Sequence, residues 1–397
     1  MSQGDQHNAP TSSPPQPHAS QPLDSQPHPP QLSTLDKFLP LWILLAMTAG
    51  ILLSTYAPSV PHALESVTIG GTSLPIAIGL LVMMYPPLAK VRYDKAAKIA
   101  ADKRLMTLSL ALNWLFGPLF MFALAWLFLP QDPELRTGLI IVGLARCIAM
   151  VLVWTDLSCA DRELTAVLVA INAVFQVLMF GVLGWFYLQV LPSWLGLETT
   201  SAKFSFLAIA ASVLIFLGIP LLAGVASRII GERTKGREFY ENVVIPKISP
   251  LALIGLLYTI VLLFSLQGQQ LVAQPWTVVR VAAPLLIYFV VMFGVSLWAS
   301  KAVGLNYAQS TSVAFTAAGN NFELAIAVSI GTFGASSAQA LAGTIGPLVE
   351  IPVLVGLVYV VLWLGPKLFT SDATAPHSPA PPQRQPRRRH SSPARGS

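Results

Sequence analysis

Of the 397 residues, 54% are hydrophobic and 11% charged, and the apolar residues fall in blocks about as long as a helix needs to cross ~30 Å of hydrocarbon. This excludes a soluble catalytic domain and identifies an all-α polytopic membrane protein. The net charge of +6 sits in loops and a tail, so it is a topology signal and not a nucleic-acid footprint.

Residues 1–33 are rich in Pro, Gln, Ser and His and contain no Lys or Arg. They cannot bury a core and read as a disordered tail. A full-length span follows, so no cleavable signal peptide is expected. Ten spans are predicted within a transporter domain of residues 34–369: 38–56, 73–90, 105–129, 137–154, 164–190, 205–228, 248–266, 277–300, 307–333 and 339–364. Residues 370–397 form a second disordered tail, Pro-rich and basic, whose arginines Arg387, Arg388 and Arg389 read as solvated in preference to lipid-bound.

Basic residues set the orientation. Lys90, Arg92, Lys95, Lys98, Lys103 and Arg104 follow span two, and Arg228, Arg233, Lys235, Arg237 and Lys247 follow span six. The opposite loops keep only Arg136, Lys203 and Arg280. Both termini are therefore expected in the cytoplasm of a cell-membrane protein. The spacing of the basic loops predicts two inverted five-helix repeats, which makes spans four and nine counterparts. Span nine is interrupted by Gly319-Asn320-Asn321, where glycine adds backbone freedom and asparagines compete for backbone hydrogen bonds. Span four has no such breaker at Arg146-Cys147, and whether its helix breaks there stays open. Interrupted spans at matching positions of inverted halves point to a midplane binding site.

Arg146 stands in the middle of span four, where an arginine costs about 2.5–3.5 kcal/mol on insertion scales and so faces a cavity, a carboxylate or a substrate. Cys147 beside it is a soft ligand suited to a soft metalloid. Most membrane cysteines are inert, but an adjacent positive charge favours the thiolate. Cys159, near Asp156, Asp161 and Glu163, reads as a bystander. The two cysteines form no disulfide framework or metal-site motif, and no cofactor is implied. Glu323 and Glu350 share the predicted core with one base, Arg146. One acid can pair with it, and the other is left to carry a proton or contact cargo. Glu350, between Pro347 and Pro352, is favoured over Glu323 as the cycling acid. All six histidines lie in the tails or the first loop, which excludes a histidine relay. Asn113, Asn172 and Gln176 read first as helix glue. No phosphate-binding Gly-Lys-Ser/Thr loop is present, so energy must come from a gradient.

The stretch from Gly143 through Arg146-Cys147 to Thr155, with Asn172 and Gln176, Asn320-Asn321-Phe322-Glu323, and Gly346-Pro347 through Glu350 to Pro352, resembles the arsenical-resistance arsenite permeases of the bile acid/arsenite/riboflavin transporter superfamily. The resemblance covers essentially the whole membrane domain. It implies panel and core domains, discontinuous helices four and nine crossing in the core, and arsenite extrusion by exchange for protons. It maps the functional cysteine onto Cys147 and the functional glutamate onto Glu350. Thr155 departs from the asparagine common there. The expected cargo is arsenite, with antimonite alongside it. Arg146, Asn320, Asn321 and Glu323 are expected to complete the substrate site. Two rivals remain: a sodium-coupled symporter of organic anions, with Asn320, Asn321 and Glu323 as oxygen ligands, and a non-transporting membrane metalloid sensor.

Overall fold

The computed structural model describes residues 38–57, 59–66, 68–69, 72–92, 101–198 and 206–369. The expectations for the tails, residues 1–33 and 370–397, lie outside the described residues. Among the described residues, seven helices are long and apolar enough to cross a membrane: α1 (Leu39–Tyr56), α4 (Lys103–Phe128), α7 (Arg162–Trp194), α8 (Phe206–Lys235), α9 (Arg237–Ala273), α10 (Pro275–Ala302) and α13 (Ala338–Leu368). Shorter helices fill the remaining predicted stretches: α3 (Leu74–Ala89), α5 (Pro133–Leu144) with α6 (Met150–Leu157), and α11 (Tyr307–Ala318) with α12 (Phe322–Phe333). A small helix α2 (Ser59–Ser66) and a two-residue antiparallel pair, β1 (Thr68–Ile69) with β2 (Thr72–Ser73), connect α1 to α3.

Local sequence explains the irregular turns of the long helices. The described residues contain four five-residue π-helical stretches, Leu112–Phe116, Phe186–Val190, Leu214–Gly218 and Tyr240–Val244, and each ends two residues before a proline, Pro118, Pro192, Pro220 or Pro246. Proline lacks the N–H that the carbonyl four residues earlier needs, and a widened turn accommodates the mismatch without ending the helix.

The helices pack in two groups. In the first, α9 lies against α1 and α3, and α8 against α3. Small residues permit the approach: a Cβ on Gly50 would lie 2.6 Å from the Cβ of Phe264, and one on Gly255 2.8 Å from the backbone nitrogen of Met83. In the second group, α10 packs on α11, α13 and α4, while α13 packs on α5 and α12. Charged residues tie loop ends together at one face. Glu241 of α9 accepts from Arg92 (2.6 Å), Arg228 (2.9 Å) and Arg237 (3.2 Å), and Arg92 also reaches Glu163 of α7 at 3.1 Å.

Candidate functional site

The two interrupted segments meet where their helices stop. After Leu144 the chain turns extended at Ala145 (φ −86°, ψ 111°), and after Ala318 it does the same at Gly319 (φ −70°, ψ 143°). Span four is thus fully broken, from Leu144 to Met150. The exposed backbone groups satisfy one another: Cys147 N–H donates to the Gly319 carbonyl at 3.2 Å, and Asn321 N–H to the Ala145 carbonyl at 2.9 Å. Arg146 and Asn320 are therefore directly opposite, as a non-hydrogen-bonded antiparallel pair. Three outward backbone groups of the Arg146–Asn320 pair also find partners. The Gln176 amide accepts from Arg146 N–H (2.9 Å) and donates to its carbonyl (3.1 Å), substituting for a third strand. On the other edge Asn320 N–H donates to Glu350 Oε1 at 3.4 Å.

Side chains alternate across such a ribbon. Cys147 stands opposite Gly319, where a Cβ would lie 3.0 Å from the Cys147 Cβ and 3.5 Å from Glu350 Oε1. The thiol and the carboxyl therefore flank one position that has no side chain. Cys147 and Glu350 are buried, at 2% and 5% exposure. The sulfur lies at the first turn of α6, within reach of the backbone N–H groups of Val151 and Met150. Glu350 is held in α13 between Pro347 and Pro352, and the adjacent Gly346 receives the ring of Phe322, so a side chain there would overlap it.

Arg146 and Asn320 share the opposite face. The Arg146 guanidinium is fully buried and donates from Nη1 to the Tyr288 hydroxyl (2.8 Å) and the Ala317 carbonyl (3.3 Å), and from Nη2 to the Gly143 carbonyl. The expected ion pair with Glu323 or Glu350 is not formed, and among the described residues no carboxylate lies within ion-pairing distance of Arg146. The carbonyls that end α5 and α11 carry the compensating negative charge.

The Asn320 amide is buried, and neither its nitrogen nor its oxygen has a protein partner. Asn321 caps α12 by accepting from Leu324 N–H at 3.0 Å, and its amide lies 3.9 Å from the Met84 sulfur. Glu323, in the first turn of α12, is partly exposed and touches neither the thiol nor Arg146 by any hydrogen bond or ion pair. Asn113 and Asn172 bond to each other at 3.3 Å, with Trp114 donating to Asn172 at 3.1 Å, so these amides join α4 to α7. Cys159 lies in the loop before α7 with a positive φ of 54°, and burial raises its thiol pKa.

Sequence reasoning missed Tyr288 and Gly117. A tyrosine in mid-span reads as core, and only the depth of its hydroxyl, far from either end of α10, hinted at a polar partner.

A cavity of about 120 Å³ runs between α3 and α9 on one side and α6 on the other, with Met83, Pro87, Lys90, Asp156 and Arg162 in its wall. It touches Ala149 and Met150, beside the thiol. At the opposite end a depression of about 540 Å³ holds Asp132, Glu134, Gln270 and Ser336. At that end Gln267 donates to the Ala335 carbonyl and Gln270, in the wall of the depression, to the Ser336 carbonyl at 3.3 Å, which ties α9 to the loop before α13.

Apolar helices around a buried crossing of two broken ones, with half-helix ends turned on one small site, define a membrane transporter. Residues 77–274 match the Sodium Bile acid symporter family. The chain is 73% identical over 350 residues to the arsenical-resistance protein Acr3 of Corynebacterium glutamicum, across 88% of this chain and 95% of that protein. It is 30% identical to an Acr3 of Alkaliphilus metalliredigens, across 81% and 91%, and 34% identical to an uncharacterized transporter of Synechocystis sp., across 82% and 88%. The chain belongs to the arsenical-resistance permease family.

Proposed function

We propose that the protein exports arsenite from the cytoplasm across the cell membrane in exchange for protons, with antimonite as a second cargo. The architecture proposed for it is ten spans in two inverted five-helix repeats, with α1, α3, α8 and α9 in the panel and the crossing α5/α6 and α11/α12 in the core. The observation that carries this reading is the placing of a buried thiol and a buried carboxyl on either side of Gly319, with a cavity that reaches Ala149 and Met150 at the start of α6.

Arsenous acid is neutral at physiological pH. The Cys147 sulfur would displace one hydroxyl, forming one S–As bond and breaking one As–O bond. The thiol proton leaves with that hydroxyl as water. A single thiolate bond is reversible, as release demands. Negative charge building on sulfur meets the N–H groups at the start of α6. The cavity that reaches Met150 opens between Lys90 and Arg162, on the side where the basic loops argue for cytoplasm, with both termini on that side. On the opposite side the Gln267 and Gln270 bonds tie α9 to the loop before α13. Glu350, taking a proton from outside and losing it inside, would couple the return of the empty site; Glu323 is the second choice for that proton. Asn320 and Asn321 act on this reading through the crossing's backbone and helix cap.

Everted vesicles test this. An imposed pH gradient, with no sodium gradient, should drive uphill arsenite uptake in wild type and fail to do so in Glu350→Gln. Accumulation driven by sodium alone would favour the symporter reading that the family match also supports. Arsenite binding without flux would favour a sensor.

A further inference from the structure

Arg146 has the surroundings of a bound cation. Its guanidinium donates to the carbonyl of Gly143, the second-last residue of α5, and to that of Ala317, the second-last residue of α11. The Tyr288 hydroxyl completes the set at 2.8 Å. Gly117 of α4 forms the wall: a Cβ there would lie 2.8 Å from Nη1 and 3.1 Å from the Tyr288 hydroxyl. Each helix C-terminus carries about half a negative elementary charge, so the two ends together balance roughly one positive charge. That is why a fully buried arginine needs no carboxylate here. Half-helix C-termini and unwound carbonyls are also the groups that hold free coupling cations in transporters with broken helices.

We propose that the junction of α5 and α11 is a monovalent-cation site whose occupant is tethered: the Arg146 guanidinium takes the place of a free cation. The inference stands on these contacts and not on the identity of the cargo. Removing the side chain should then expose an empty cradle that a small cation of the medium can fill, and the protein should acquire a cation dependence that the wild type lacks.

The test is thermal unfolding of purified Arg146→Ala in detergent, in guanidinium chloride far below denaturing concentration, in sodium chloride, and in choline chloride of equal ionic strength. Saturable stabilisation by guanidinium or sodium over choline is expected in the variant, with no difference among the salts in wild type. Equal stability of the variant in all three salts overturns the proposal. If Arg146→Ala does not fold, the membrane abundance of Arg146→Lys against Arg146→Met decides. The lysine, which keeps the charge, should persist at least several-fold better than the methionine, which keeps only the volume. Equal loss of both, or equal persistence, overturns the tethered cation. Arsenite uptake by the same variants is read separately. Cation-specific stabilisation with no arsenite transport in the wild type would uphold the site and reject the arsenite reading.

Discussion

Gly319→Ala is the sharpest perturbation of the crossing, because it adds one methyl group between thiol and carboxyl and changes little else. The backbone at Gly319 is extended (φ −70°, ψ 143°), so alanine suffers no conformational strain there. Its Cβ would stand 3.0 Å from the Cys147 Cβ, 3.3 Å from the Phe315 carbonyl oxygen and 3.5 Å from Glu350 Oε1. Comfortable carbon–carbon contact begins at about 3.5 Å, so Cys147 must yield by roughly half an ångström. Overpacking of that kind costs about 1–3 kcal/mol, while the loss of glycine's freedom in the unfolded chain returns about 0.4–1 kcal/mol. Folded yield should therefore fall only modestly. The added methyl takes the position beside the sulfur where this reading seats the cargo, and a ligand displaced that far should lose about tenfold or more in affinity for about 1.4 kcal/mol of misfit. The assay is arsenite uptake into everted vesicles at matched membrane abundance, with the rate of Cys147 alkylation from the cavity side as a second readout. Wild-type uptake and wild-type alkylation in Gly319→Ala would refute the assignment of the cargo to the Gly319 face.

Gln176→Leu removes both partners of the Arg146 backbone edge, and each buried group left unsatisfied costs about 1–3 kcal/mol; the variant should unfold at lower temperature than Asn172→Leu, and equal melting would contradict the clamp. Glu241→Gln keeps an acceptor oxygen but removes the negative charge that Arg92, Arg228 and Arg237 share, while Arg92 retains Glu163 and Arg228 retains Glu232. At about 0.2–1 kcal/mol for each partly exposed pair, the loss should approach 1–2 kcal/mol at low salt and shrink at high salt. A salt-independent loss would show that the network acts through packing.

Much of the membrane domain was legible because apolar blocks must be as long as the bilayer is thick. The lengths of α3, α5/α6 and α11/α12 were not legible, since a predicted apolar run does not say whether one helix or two will fill it. The break at Gly319 to Asn321 showed in its residues, whereas Ala145 to Ala149 contains no residue that forbids a helix. That break exists because residues 145–147 find better partners in residues 319–321 and in Gln176 than in their own helix. The expected pairing of Arg146 with a glutamate failed for a related reason. Counting formal charges omits the partial charges of helix ends, which appear only once both helices have stopped. Cys147 stands out in the sequence by its place beside Arg146 in mid-span and Glu350 by its flanking prolines, but Gly319 as the position between them, and Tyr288 as the hydroxyl on Arg146, are products of the crossing.

The central claim is that arsenic is held by one sulfur, that of Cys147, at the crossing. Arsenic X-ray absorption on purified protein loaded with arsenite reads the ligand set directly. The account predicts one sulfur and two oxygens around each arsenic in wild type and in Cys159→Ser, and no sulfur in Cys147→Ser; an arsenic–sulfur bond that survives Cys147→Ser, or one absent from wild type, would contradict it.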